Sequence, residues 1–301
     1  MYSTNTASGP AAVLQALATF ASSAGFTIDN NAAYSGGWWL AVHKGSCYLN
    51  FVSDSANTQI TVYGATGFSS SSAPSAQAQS SSGFGCNSGV GPYVGYHFFS
   101  TSGSAAYLHV AIEISAGLFA HVQGGALNSI GSAAPCIYVQ ATNWQYTGYW
   151  SSFPDTSSNY MPWSNYSGQS NGAVGVTVDG TFRWFKPGNS QPARSVLPLS
   201  YPGNGVACDS LTKSPNTFNG LAPFFPIQVF VERTVGNIYA YVGDAPDLRI
   251  LNMKNNNPKD EITIGSDTWK VFPMVSNSLP VSTGNAPPSS GNYAMAFRKN
   301  A

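Results

Sequence analysis

Apolar and polar residues alternate in short runs along most of the chain, and only one stretch keeps the spacing of a helix. Val13, Leu14, Leu17, Phe20 and Ala21 recur at three- and four-residue intervals, Ser8-Gly9-Pro10 supplies a capping residue and an early-turn proline, and Gly25 stands where a helix stop belongs. The pattern predicts one amphipathic helix over residues 9–23. Beyond it, short runs broken by Gly, Asn, Ser and Pro mark antiparallel strands. Trp38–His43 and Cys47–Val52 flank the hairpin loop Lys44-Gly45-Ser46, and Ile60–Tyr63 continues that sheet. Tyr93–Ser100, Ala106–Ile114 and Leu118–Gln123 read as a meander. Its even positions, among them Phe98, Leu108, Val110, Ile112 and Val122, line one buried face. Residues 69–91 are mostly Ser, Gly, Ala and Gln with almost no large apolar side chain, which predicts an exposed, mobile loop.

In the second half, Asp179-Gly180 between Val174–Val178 and Thr181–Phe185 is a two-residue type I′ hairpin signal. Ile227–Arg233, Asn237–Val242, Glu261–Gly265, Thr268–Pro273 and Tyr293–Lys299 follow as strands, with a polar loop at 282–291. The expected fold is mainly β: antiparallel sheets or a sandwich with one N-terminal α-helix and a second β region. Residues 1–140 are expected to form the helix plus an antiparallel β domain, 141–170 an aromatic-rich linker or insertion, and 171–301 a C-terminal β domain.

Charge is scarce and unevenly placed. Only 8% of the 301 residues are charged, against about a quarter in an ordinary soluble domain. Between Met1 and Trp150 the charged residues are Asp29, Lys44, Asp54 and Glu113, and the other twenty lie beyond. A neutral half of this length is either solvated by amides and hydroxyls or covered by other protein. Zero net charge also removes the self-repulsion that keeps chains apart. There is no basic cluster to neutralise phosphates, so nucleic acid is not an expected partner. Membrane insertion is not expected either, because no apolar run approaches the roughly 20 residues of a span, and no leader peptide is expected at the polar start. Cys47, Cys86, Cys136 and Cys208 lack the close pairing of structural zinc sites and are expected to be buried free thiols.

Three groups of residues invite a chemical reading. His97, His109 and His121 recur every twelve residues on consecutive predicted strands, and three imidazoles on adjacent strands suit zinc. The plainer reading is half-exposed strand residues, opposite the apolar face, whose spacing reflects hairpin length. Asp244 with Asp247, or Asp260 with Glu261, are the carboxylate pairs a glycosidase would need, but they sit in turn-rich sequence where Asp is a turn former. Trp144, Tyr146, Tyr149, Trp150, Tyr160, Trp163 and Tyr166 are dense enough for a sugar-stacking platform, and equally suit a protein interface or a core. No catalytic set and no cofactor motif emerges, so a non-enzymatic protein without a cofactor is expected.

The opening Tyr2-Ser-Thr-Asn-Thr-Ala-Ser-Gly-Pro10, the helix Leu14 to Phe20, Trp38 to Val42, His43-Lys-Gly and Cys47 to Phe51 resemble the start of tail-associated virion proteins of tailed bacteriophages. Tyr96-His-Phe-Phe99, Leu108 to Ile114 and Gly117-Leu-Phe-Ala-His121 resemble their next block. Glu261-Ile-Thr-Ile-Gly265, Trp269-Lys-Val-Phe272 and Gly291 to Lys299 resemble their closing strands. These are packing motifs. The resemblance implies a structural component of the virion, in tail or baseplate, made in the bacterial cytoplasm and assembled symmetrically with copies of itself and other virion proteins. The alternatives are a receptor- or glycan-binding tail-tip module, with a host surface glycan as partner, and a capsid or head-tail junction accessory protein.

Overall fold

The computed structural model describes residues 1–130, 135–142, 165–166, 169–170, 172–187, 194–196, 220, 222–233, 239–276 and 293–301. The chain runs β1 (Tyr2–Ala7), α1 (Pro10–Ser23), β2 (Thr27–Tyr34), β3 (Gly37–Lys44), β4 (Cys47–Ser53), β5 (Gln59–Ala65), a 3-10 turn at Pro74–Ala76 and β6 (Phe84–Asn87). The meander is β7 (Tyr93–Phe99), β8 (Tyr107–Ser115) and β9 (Leu118–Ala126), followed by β10 (Asn128–Ser129) and β11 (Ile137–Ala141). Then come β12 (Asn165–Tyr166), β13 (Gln169–Ser170), β14 (Gly172–Val178), β15 (Thr181–Pro187) and β16 (Arg194–Val196). The chain closes with β17 (Phe225–Glu232), β18 (Tyr239–Asn252), β19 (Glu261–Ile264), β20 (Asp267–Pro273) and β21 (Tyr293–Arg298). The protein is therefore mainly β with one N-terminal helix, as its periodicity predicts.

Strands β2 to β6 form one sheet in sequence order. A second, fourteen-stranded sheet runs β1-β7-β8-β9-β11-β14-β15-β16-β17-β18-β21-β20-β19, with β10 beside β18. The expected boundaries at 140 and 171 fall inside it, because β11 pairs directly with β14. This long sheet folds back on itself. Phe272 of β20 packs on Phe119 of β9 with ring centroids 5.4 Å apart, and Phe297 of β21 stacks on Phe99 of β7 at 4.9 Å.

The result is three layers, with β1, β7, β8, β9, β11 and β14 in the middle. Even-numbered meander residues Phe98, Leu108, Val110, Ile112 and Val122 join Leu14, Leu17, Leu40, Leu49, Phe51 and Val62 in a core beneath α1 and the five-stranded sheet. Odd-numbered Phe99, Tyr107, Ala111 and Phe119 join Ile227, Leu248, Ile250, Phe272 and Phe297 in a second core on the other side. Strand alternation sends neighbouring side chains to opposite faces, and here both faces are covered. Approach is close enough that a Cβ on Gly124 would lie 2.7 Å from Leu49 Cδ2.

Local features set the helix in place. Its N-cap is Gly9 and no side chain caps it from within, so the cap expected from Ser8 is not formed. Instead Asn57 Oδ1 accepts the Ala11 amide at 3.1 Å, and a Cβ on Gly9 would come within 2.5 Å of Asn57 Nδ2. Asp54 organises the turn that delivers Asn57, accepting the amides of Thr58 and Gln59 at 2.7 and 2.8 Å. At the other end Gly25 takes φ +82°, and Lys44 Nζ donates to the carbonyls of Ala24 and Thr101 at 2.9 and 3.1 Å. A cation at the exposed carbonyls of a helix end is favourable.

Residues 69–91 depart from the expected exposed, mobile loop. Phe84 and Cys86 lie on β6 and enter the first core. Gln77, buried at 4% exposure, accepts the Ser69 amide at 2.6 Å and donates to the carbonyls of Ser69 and Ser72 at 3.0 and 2.9 Å. One side-chain amide thus fastens the stretch where no large apolar residue is present, and such bonding does not register in hydrophobic periodicity. Phe68 completes the cover, its ring 5.7 Å from that of Trp39 on the outer face of β3.

Truncating either knob of the second core, Phe272→Ala or Phe297→Ala, should destabilise the protein by about 3–5 kcal/mol. Urea unfolding with an unchanged m-value is the measurement.

Candidate functional site: a buried polar seam and two open strand edges

The histidines predicted as half-exposed are buried. His109 and His121 have 0% exposure and His97 has 6%. The odd face of the meander looks onto β17–β21 instead of solvent. Register places His97 opposite Ala111, and Ala111 opposite His121, so two imidazoles flank one methyl group. His109 lies opposite Phe99 on one side and Gln123 on the other, and Gln123 opposite Gln140, giving a polar row over three strands. The Phe272 ring sits 4.9 Å from His97 and 6.4 Å from His121. Phe297 lies 5.4 Å from His109 and 6.0 Å from His121.

Each ring keeps one polar partner. Tyr2 Oη lies 2.9 Å from His97 Nδ1, the Tyr138 hydroxyl bonds His109 Nε2, and His121 Nε2 donates to the Pro273 carbonyl at 3.0 Å. A carbonyl only accepts, so the neutral His121 ring carries its proton on Nε2. The remaining ring nitrogens, His97 Nε2, His109 Nδ1 and His121 Nδ1, are buried without a hydrogen-bond partner, as is Gln140 Oε1. Burial pushes His109 down to about 3 and His121 to about 4. His97 falls to about 3, first through burial and then through Lys270, Lys259 and His121. All three are neutral at pH 7.

Among the described residues, no three His, Cys, Asp or Glu side chains are placed to hold a metal ion. Cys47, Cys86 and Cys136 are buried free thiols, and burial pushes Cys47 and Cys136 up to about 12, where the thiolate is absent at neutral pH. Cys208 lies outside the described residues.

The carboxylates serve turns and ion pairs. Asp247 accepts the Tyr107 hydroxyl at 2.7 Å, and Asp260 accepts the Asn257 amide at 2.7 Å. Asp244 lies 3.3 Å from the hydroxyl of Tyr241. Glu261 is held below the usual carboxylate range by hydrogen bonds from Lys299 and Lys270. The aromatic block with Trp144, Tyr146, Tyr149, Trp150, Tyr160 and Trp163 lies outside the described residues, and Tyr166 is placed only as backbone of β12. Gly168-Gln-Ser-Asn-Gly172 fits the spacing of a nucleophile elbow. An elbow needs a strand-to-helix turn at its serine, whereas Ser170 belongs to β13 and is followed by strand β14 from Gly172.

Among the described residues the terminal strands of the two large sheets, β1, β2, β6 and β19, pair on one side only, and β1 and β2 are the longest of them. β1 ends the long sheet and β2 ends the five-stranded one. Each carries one bulge, leaving Tyr2–Asn5 and Asn30–Tyr34 as regular segments without a charged residue or proline. Thr4, Asn5, Asn31, Ala32 and Ala33 are exposed. The charge on β2, Asp29, is bound to His43 at 2.7 Å.

No family model matches the chain, and no curated protein matches its sequence.

Because each imidazole already spends one nitrogen on a protein partner inside a buried interface, added zinc should leave the thermal unfolding midpoint unchanged. Treatment with EDTA should likewise not lower it.

Proposed function

We propose that the chain is a non-enzymatic structural subunit of a tailed-bacteriophage virion, in its tail or baseplate, that acts by assembling with copies of itself and with other virion proteins. The observation that carries the assembly reading is the pair of uncharged, exposed strand edges on β1 and β2. A strand edge is a row of unpaired amides and carbonyls that templates pairing with another chain, and lone β proteins blunt it with Lys, Pro or very short strands. Here Tyr2–Asn5 and Asn30–Tyr34 lack Lys and Pro. By contrast β19, the opposite edge of the long sheet, is four residues long and carries Glu261, while Lys270 and Lys299, which bind it, also reach the Tyr2 ring and leave Ser3–Asn5 as the uncharged part of the β1 edge. Zero net charge favours close packing of many copies. The virion assignment itself rests on the resemblance of the terminal segments. No helix among the described residues is long and apolar enough to cross a membrane.

Placing a charge on each edge, Asn5→Lys with Ala32→Lys, should leave the isolated fold within about 0.5 kcal/mol of wild type, as for surface changes generally. The doubly substituted protein should fail to enter particles when it is the sole copy during phage growth. Quantitative mass spectrometry of purified virions reads the outcome. Normal incorporation would remove the edge argument, and absence of the wild-type chain from virions would remove the virion assignment.

A further inference from the structure

The two faces of the middle sheet are bonded differently. Toward α1 and β2–β6 it presents Phe98, Leu108, Val110, Ile112 and Val122. Toward β17–β21 it presents His97, His109, His121, Gln123 and Gln140, all buried, set among Phe99, Phe119, Phe272 and Phe297. We propose that the interface between the middle sheet and β17–β21 is an acid-labile joint, which opens when its three imidazoles take up protons while α1 and the five-stranded sheet stay packed.

Among the described residues, the one group that favours a charged ring is the Pro273 carbonyl at His121, and burial outweighs it. His97 faces Tyr2 from β1, and Lys270 from β20 and Lys259 from the turn before β19 both oppose its protonation. The carboxylates near those lysines are already engaged, Glu113 with Lys259 at 2.8 Å and Glu261 with Lys270 at 2.9 Å. His109 faces Tyr107, Tyr138 and Phe297. Beyond Tyr107 lies Asp247, which accepts its hydroxyl and is shared with Arg298 at 3.3 Å and with the Met1 ammonium through charge attraction. His121 faces Phe119, Phe272, Phe297 and the Pro273 carbonyl, and it repels His97 across Ala111 once both are charged. Among the described residues no carboxylate hydrogen-bonds any of the three rings, and three ring nitrogens have no partner at all.

The direction follows from where protons bind. In the closed joint the rings resist protonation until pH falls to about 3 to 4. Once the joint is open and hydrated, they titrate near their ordinary value of about 6.5. Below that value the open form holds up to three more protons than the closed one. Stability of the joint is therefore full above pH about 6.5 and is lost as pH falls toward 4, with an opening constant that rises by as much as about 1,000-fold per pH unit. The first core contains none of these three groups and should outlast the second.

Hydrogen exchange of the intact chain between pH 7 and pH 4.5, corrected for intrinsic rates, tests this strand by strand. Amides of β17, β18, β20 and β21 should lose protection at a higher pH than those of β3, β4 and β5. His109→Gln and His121→Gln should each reduce the pH dependence of that opening by about one proton, or tenfold per pH unit. Loss of protection at the same pH in both sets, or a pH dependence untouched by both substitutions, would overturn the proposal. Should the variants fail to fold, an NMR titration of the wild-type imidazoles decides: rings that stay neutral down to pH 5 support the joint, and rings that titrate near 6.5 in the closed protein refute it.

Discussion

A sheet covered on both faces by its own chain is the constraint from which most of this structure follows. Strands β8, β9 and β11 are buried along nearly their whole length, and no side chain on either face can send a charge into water. A lone charge buried there would have to be neutralised or paired at a loss of several kcal/mol. The scarcity of charge in β8, β9 and β11 is thereby explained from within a single subunit. Glu113, the one carboxylate of the meander, sits near the end of β8 and reaches Lys259 from there. Covering one face of this sheet requires α1 and β2–β6, and covering the other requires the long sheet to fold back and lay β17–β21 across it.

The same constraint separates what could be read in the sequence from what could not. Helix α1, the β3–β4 hairpin, the meander and the Asp179-Gly180 turn were readable because each depends on local periodicity or on a residue that tolerates positive φ. Asp179 and Gly180 do adopt φ of 50° and 77°. The second buried face was not readable by the same means. Period-two alternation locates one apolar face, and His97, His109, His121, Gln123 and Gln140 look like solvent-facing residues until a third layer is known to cover them. A signal was nonetheless present: Phe99, Tyr107 and Phe119 share the odd face with the histidines, and large aromatics on a supposedly wet face call for a cover. Gln77 and Asn57 were hidden for a related reason, since both act through single amide groups on distant backbone.

The histidines show how position redirects chemistry. On an open sheet, three imidazoles at hairpin spacing would be available to a metal or a substrate. Here each ring is trapped between layers, bonded through one nitrogen to Tyr2, Tyr138 or the Pro273 carbonyl and packed against phenylalanine. Groups that ordinarily do acid-base work have become part of a packing surface. Among the described residues, the β1 and β2 edges offer the outside backbone together with amide and hydroxyl side chains.

Apart from Lys259, which pairs with the nearly buried Glu113 of β8, the charged residues of the C-terminal layer contribute little to holding it in place. Arg233 with Asp179, Arg298 with Asp247 and Asp267, and Lys299 with Glu261 all lie at the rim, each pair with at least one partner 30% or more exposed. Pairs in such settings contribute only about 0–1 kcal/mol each after screening and side-chain ordering. Phe272 and Phe297, both fully buried, instead fill the space between the histidines and the rings of Phe99 and Phe119. Attachment of the third layer is therefore mainly a matter of apolar packing around a neutral polar seam. Salt should have little influence on it, and the protonation state of the imidazoles a great deal.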